Sequence, residues 1–79
     1  MPLVDRVANV FHKVFQCDID GFSPEATPEN VPNWDSIGHM NLVAELETEF
    51  GRQFEIDDIM EMGSVGKILA ILKAKGVAD

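Results

Sequence analysis

The stretch 33–50 restricts the fold most, because it predicts one helix with two apolar stripes. At about 100° per residue, four residues gather on one side, called here the core stripe: Leu42, Val43, Leu46 and Phe50. Three gather on nearly the opposite side, called here the outer stripe: Ile37, Met40 and Ala44. A chain of 79 residues builds a single core, so one stripe is buried there and the other stays exposed. Exposed apolar patches usually bind something.

The residues at the start of this helix suit a bound anion. A Pro-rich loop ends at Trp34, and Asp35 is well placed as N-cap, since its carboxylate can accept from the free N–H groups of the first turn. Ser36 is then the first helical residue, with its hydroxyl at the positive end of the helix dipole. A phosphate on this hydroxyl is favoured at that position.

The same helix resembles a known protein family. It is similar to the Asp-Ser-Leu motif and the second helix of acyl carrier proteins. The residues that carry this resemblance are Asp35-Ser36-Ile37, Met40, Leu42-Val43, Leu46-Glu47 and Phe50-Gly51. Ile37 replaces the usual leucine but keeps its size and polarity. The resemblance implies that a phosphopantetheinyl transferase moves phosphopantetheine from CoA onto Ser36 Oγ. It also implies that the thiol of this covalent cofactor carries an acyl group as a thioester between partner enzymes.

The rest of the chain predicts an all-α fold, a small bundle of three main helices and one short helix in a single domain, 1–79. The first helix is predicted over residues 3–16, and the last begins after the N-cap Ser64 and stops at Gly76. One or two helical turns are predicted over residues 57–61. The long first loop, 17–34, is broken by glycine and prolines and needs apolar anchors. The candidates are Ile19, Phe22, Val31 and Trp34.

Around the short helix, Ile56, Ile59 and Met60 are predicted to face inward or line a cavity, and Met60 and Met62 to fill the core. His39 is predicted to pack at the edge of its helix, turned away from Ser36. A nucleophilic serine needs a base within hydrogen-bond reach, so we expect no enzyme activity.

A calcium site is the competing motif. Asp18-Ile19-Asp20-Gly21 is similar to the middle of an EF-hand loop, but Gln16 and Thr27 then stand at its first and twelfth positions. These positions need an acid and a bidentate glutamate, so no metal is predicted.

The net charge of the protein disfavours nucleic acid as a partner and favours proteins with basic patches. Fourteen acidic and six basic residues give a net charge of −8, which disfavours binding to nucleic acid. Between residues 35 and 61 there are eight carboxylates and one basic residue, Arg52. Glu47 borders the outer stripe. An apolar centre with an acidic rim suits acyl-transferring enzymes with basic patches.

The remaining features suggest where the protein acts. The lone Cys17 excludes an internal disulfide, fits a reducing compartment and is predicted to be half-buried. We see neither an apolar run long enough to span a membrane nor a charged-then-apolar leader, and expect a cytoplasmic monomer without membrane contact.

These features together predict an acyl carrier protein of fatty-acid or related (polyketide, specialised lipid) biosynthesis. A peptidyl or aminoacyl carrier is the alternative within the family; Ile37 is a hint of it, while the acidic surface and the free-standing length weigh against it. An unmodified acidic helical adaptor is the alternative outside it. Trp34 and Gly38-His39 differ from residues common in housekeeping fatty-acid carriers, which points to a specialised pathway.

Overall fold

The computed structural model describes residues 2–16, 23 and 25–77, and these residues form four helices and no strand. The helices are α1 Leu3–Phe15, α2 Ser36–Phe50, α3 Ile56–Glu61 and α4 Val65–Ala74. The predicted all-α architecture, with three longer helices and one short helix, is confirmed. No helix within these ranges has the length and apolarity needed to cross a membrane. The predictions for Cys17, Ile19, Phe22 and the calcium-like segment 18–21 fall outside the described residues.

One hydrophobic core joins the three longer helices, and α1 packs most extensively against α2. The whole core stripe of α2 is buried, as predicted. The other helical members of the core are Leu3, Val7, Val10, Phe11 and Phe15 from α1, and Val65, Ile68 and Leu72 from α4. Because the core takes one side of α2, the outer stripe faces away from it.

The ends of the helices follow local chemistry. Asp35 Oδ1 accepts from the backbone N–H of Gly38 at 2.8 Å, which confirms Asp35 as the N-cap of α2. Ser64 Oγ caps α4 in the same way, accepting from the N–H of Lys67 at 3.2 Å. Gly51 closes α2 with a φ of 63°, a left-handed conformation that glycine adopts without strain. Ser36 is therefore held as the first residue of α2.

The loop that leads into α2 is anchored by Val31 and Trp34, both buried as predicted. The Trp34 ring meets Phe11 edge to face, with the ring centroids 5.1 Å apart. It also lies 6.1 Å from the Phe15 ring. These aromatic contacts stabilise the core beyond the area they bury. They fix the backbone immediately before Asp35 to α1.

Gly38 sits where the first turn of α2 comes closest to its neighbours. A Cβ added there would collide with the backbone oxygen of Asn33 and would lie 2.8 Å from Cε1 of Phe15. The glycine is therefore required by close approach, since its own backbone is helical. Any side chain at this position pushes the start of α2 away from the loop and from α1.

Gly38→Ala should consequently destabilise the protein by about 1–3 kcal/mol, the range for overpacking a close-packed site. Gly63→Ala is the matched control, because an added Cβ at Gly63 meets nothing within 4 Å. Urea unfolding of both variants measures the difference. Equal stabilities would mean that the loop before α2 shifts to accommodate the added methyl group without a cost in stability.

α3 has no fully buried residue and is held by polar contacts at its start. A capping box forms there, in which the N–H of Glu55 donates to Asp58 Oδ2 at 3.1 Å. Lys75 Nζ lies 2.9 Å from the same oxygen. The Lys75 hydrogen bond and the Glu55 N–H lower the pKa of Asp58 below its ordinary value. A charged Asp58 thus ties the start of α3 to the end of α4.

Candidate functional site

Ser36 lies exposed at the N-terminus of α2. Asp35 shapes this turn twice, since its side chain accepts from Gly38 and its backbone carbonyl accepts from the N–H of His39 at 2.7 Å. The next residue, Ile37, keeps 76% of its surface exposed. The hydroxyl of Ser36 is thus presented on a hydrogen-bonded turn at the positive end of a 15-residue helix.

A shallow, open apolar pocket of about 570 Å³ lies beside this hydroxyl, between the start of α2, the preceding loop and α3. Its lining residues are Pro28, Trp34, Asp35, Ser36, His39, Met40, Ile59, Met60 and Met62. Three methionines and a tryptophan give it a soft wall that adapts to the shape of a ligand. Asp35 is the only charged residue among the described lining residues.

The structure exposes the outer stripe of α2, as the sequence predicted. Met40 is 58% exposed, and Ile37 and Ala44 lie open to solvent as well. Met40 also lines the pocket, so the stripe runs from the pocket beside Ser36 along the outside of α2. Ile37, Met40 and Ala44 therefore form one continuous candidate contact surface.

Glu47 and two other carboxylates of α2 form hydrogen bonds or ion pairs within the protein, which the sequence did not predict. Glu47 is half-buried, and its Oε2 accepts from the N–H of Phe54 at 3.0 Å, which ties α2 to the loop before α3. Two other α2 carboxylates pair with α1, Glu45 with Lys13 at 3.4 Å and Glu49 with Arg6 at 3.3 Å. Part of the acidic rim is thus already neutralised within the protein.

The predictions for Ile56 and Met60 on α3 are wrong in part. Ile56 is 74% exposed and does not line the pocket, and Met60 is 78% exposed rather than part of the core. The reason is the length of α3, because six residues present only Ile59 and the following Met62 inward. Met62 fills the core, as predicted, and Met60 and Ile59 line the pocket.

His39 is the site residue that sequence reasoning missed. It packs half-buried at the edge of α2, as predicted, but it also lines the same pocket as Ser36 and stacks on Trp34 with the two rings 13° from parallel. Trp34 Nε1–H donates to His39 Nδ1 at 2.8 Å. Indole nitrogen can only donate, so Nδ1 is the acceptor and the neutral ring carries its hydrogen on Nε2. Nε2–H then donates to the carbonyl of Ile59 at 2.9 Å.

Both ring nitrogens of His39 are therefore occupied, and neither can take a proton from Ser36 in this arrangement. A nucleophilic serine depends on such a base. No group of three or more potential metal ligands comes together within the described residues. The site has what a covalent attachment point needs: an accessible hydroxyl, a favourable dipole and an adjacent apolar pocket.

Comparison with known proteins identifies the family. Residues 5–72 match the family described as "Phosphopantetheine attachment site". The chain belongs to this family of acyl carrier proteins. It is 26% identical over 72 residues to an acyl carrier protein of Lactobacillus johnsonii, covering 91% of this chain and 90% of that protein.

Membership identifies the cofactor as phosphopantetheine and the protein as a carrier rather than an enzyme. The start of α2 suits a phosphate group of this kind, since the positive end of a helix dipole favours an anion. When bound, the cofactor would supply a thiol that carries an acyl group as a thioester, and the pocket beside Ser36 is lined mainly by apolar side chains. An acyl carrier protein of this kind works with a phosphopantetheinyl transferase and with acyl-transferring enzymes.

Proposed function

We propose that Ser36 Oγ carries the phosphopantetheine and that the chain carries acyl groups in fatty-acid or related biosynthesis, such as polyketide or specialised lipid pathways. The observation that carries this proposal is the exposed Ser36 hydroxyl at the N-terminus of α2, next to a pocket of about 570 Å³. Asp35, directly before Ser36, is joined to Gly38 and His39, which follow it, by two hydrogen bonds. Attachment therefore needs no rearrangement of the helix.

In the attachment step, Ser36 Oγ forms a bond to the phosphorus that bears pantetheine in CoA. The diphosphate bond of CoA breaks, and the nucleotide leaves with the bridging oxygen. The hydroxyl proton passes to a base of the transferase, because both nitrogens of His39 are engaged. This chain contributes the position of the hydroxyl and a helix terminus that favours the resulting phosphodiester.

The pocket supports an apolar cargo. Its wall is made mainly of side chains without charge, among them Ile59, Met60 and Met62. The polar atoms of Trp34 and His39 are satisfied by each other and by Ile59, so they offer no unpaired group to a ligand. Each Å² of apolar chain buried there gains about 25 cal/mol. An alkyl chain thus fits the part of the wall formed by Ile59 and the methionines better than the charged amine of an aminoacyl group, which would be costly to bury away from the Asp35 carboxylate.

Intact mass after incubation with CoA and a phosphopantetheinyl transferase tests attachment, and we expect one added phosphopantetheine. The holo-protein is then loaded with an octanoyl or a glycyl group, and thermal unfolding is followed. The octanoyl form should unfold at the higher temperature, by about 4–8 °C for each kcal/mol gained. No mass gain would favour an unmodified adaptor, and a stabilisation by glycyl alone would favour an aminoacyl carrier.

We also propose that partner enzymes approach the outer stripe and its acidic rim, with Glu47 at the border. Glu47→Gln removes the charge but keeps an acceptor for the N–H of Phe54. Acyl transfer, measured as kcat/KM, should fall about fivefold at low salt, the effect of one contact of about 1 kcal/mol. Raising the salt concentration should lower the wild-type rate towards that of the variant.

Asp5→Asn is the control for Glu47→Gln, because it removes one exposed carboxylate from α1 instead. Its kcat/KM should stay close to the wild-type value at all salt concentrations. If the two variants behave alike, net charge alone sets the encounter rate and Glu47 has no local role.

A further inference from the structure

His39 connects α2 to the loop directly before it and to α3, which is distant in sequence. It belongs to α2, it accepts from Trp34 in the preceding loop, and it donates to the Ile59 carbonyl on α3, twenty residues away. All three residues line the pocket beside Ser36. The imidazole therefore forms part of the pocket wall and at the same time fastens two other parts of that wall together.

α3 needs such a tie, because a helix of six residues is not stable by itself. Its start is fastened by the capping box and by Lys75. At its other end, the last carbonyls of a helix have no partner within it. The Ile59 carbonyl accepts a long bond of 3.3 Å from Met62 N–H and the shorter one of 2.9 Å from His39. His39 thus satisfies the end of α3 from the neighbouring helix.

We propose that His39 is a positioning residue that fixes α3 against the pocket, and thereby sets how fully an apolar chain on the Ser36 arm is buried. The positioning of α3 concerns the unmodified protein, and only the control of chain burial rests on the proposed function. His39 holds α3 through its hydrogen bond to the Ile59 carbonyl, and this bond is lost when α3 moves away from the pocket. The bond to Trp34 keeps the imidazole aimed at α3.

Two variants separate the two bonds. In His39→Asn the side-chain oxygen takes the place of Nδ1 and accepts from Trp34, but the side chain is too short to reach Ile59. In His39→Gln the amide nitrogen takes the place of Nε2 and donates to Ile59, but no acceptor remains for Trp34. His12→Gln, at an exposed position of α1, is the control for replacing a histidine.

The unmodified protein gives two readouts. Amide exchange of Ile59 and Met62 should become about 2- to 12-fold faster in His39→Asn, the range for one lost neutral hydrogen bond, and stay near wild type in His39→Gln. Fluorescence of Trp34, the single tryptophan, should shift in both variants, because both lose the stacked imidazole, and should shift further in His39→Gln, where the indole N–H also loses its acceptor. Equal exchange in both variants, or acceleration throughout all helices, would overturn the positioning role.

The octanoyl holo-protein tests whether His39 controls how fully the acyl chain is buried. Cleavage of its thioester by hydroxylamine should become about 2- to 12-fold faster in His39→Asn, as amide exchange does. In His39→Gln and His12→Gln the cleavage rate should stay near that of the wild type. If the arm cannot be installed at all, the proposed function fails, but the exchange data still decide whether His39 positions α3. If exchange follows the expected pattern and cleavage is equal in all variants, control of chain burial is overturned.

Discussion

Ser36→Ala should abolish the mass gain from CoA and phosphopantetheinyl transferase completely, while the protein folds as the wild type does. The loss is total because the hydroxyl oxygen is the atom that forms the bond. Folding should persist because Asp35, not Ser36, caps α2. The exposed position of Ser36 also means that alanine leaves no cavity and no buried unpaired group. Intact mass and circular dichroism measure the two outcomes.

Ser64 provides a matched control, since it is also a serine at the start of a helix. Its hydroxyl is half-buried and occupied, accepting from the N–H of Lys67. Ser64→Ala should therefore take up the arm normally and lose about 1 kcal/mol of stability as α4 loses its cap. An adduct on Ser36→Ala, or none on Ser64→Ala, would show that the attachment point has been assigned to the wrong residue.

The parts of the fold that could be predicted are those set by neighbours along the chain. Asp35 caps α2 because a carboxylate in front of a first turn has an N–H within reach, whatever the tertiary structure. The core stripe recurs every three or four residues and follows from the geometry of one helix. For this reason the sequence alone predicts both the start of α2 and the exposure of Met40.

The parts that could not be predicted depend on contacts between distant segments. The partner of His39 is a carbonyl on α3, and nothing in the local sequence identifies which carbonyl faces the ring. Gly38 gives no signal beyond being a glycine, since the atoms it must avoid belong to Asn33 and Phe15. The exposure of Ile56 likewise follows from how a short α3 meets the bundle, which periodicity over six residues cannot fix.

The two stripes of α2 should separate folding from function on one helix. Leu46 is fully buried in the core stripe, so Leu46→Ala should leave a cavity and cost about 2–5 kcal/mol. That is a large part of the stability of so small a domain. Met40 is 58% exposed on the outer stripe, so Met40→Asp should change stability by about 1 kcal/mol or less. Urea unfolding of both variants measures these costs.

Met40→Asp should nevertheless slow arm attachment or acyl transfer strongly, because a partner enzyme would bury the new carboxylate unpaired beside Ser36. Asn41→Asp is the control, since it adds the same charge at the next exposed residue of α2, outside the outer stripe. It should leave both stability and transfer near wild type. If Met40→Asp unfolds the protein and Leu46→Ala is harmless, the two faces of α2 are assigned the wrong way round. If Asn41→Asp slows transfer as much as Met40→Asp, added charge on α2 is sufficient, and the outer stripe is not the surface that partners bury.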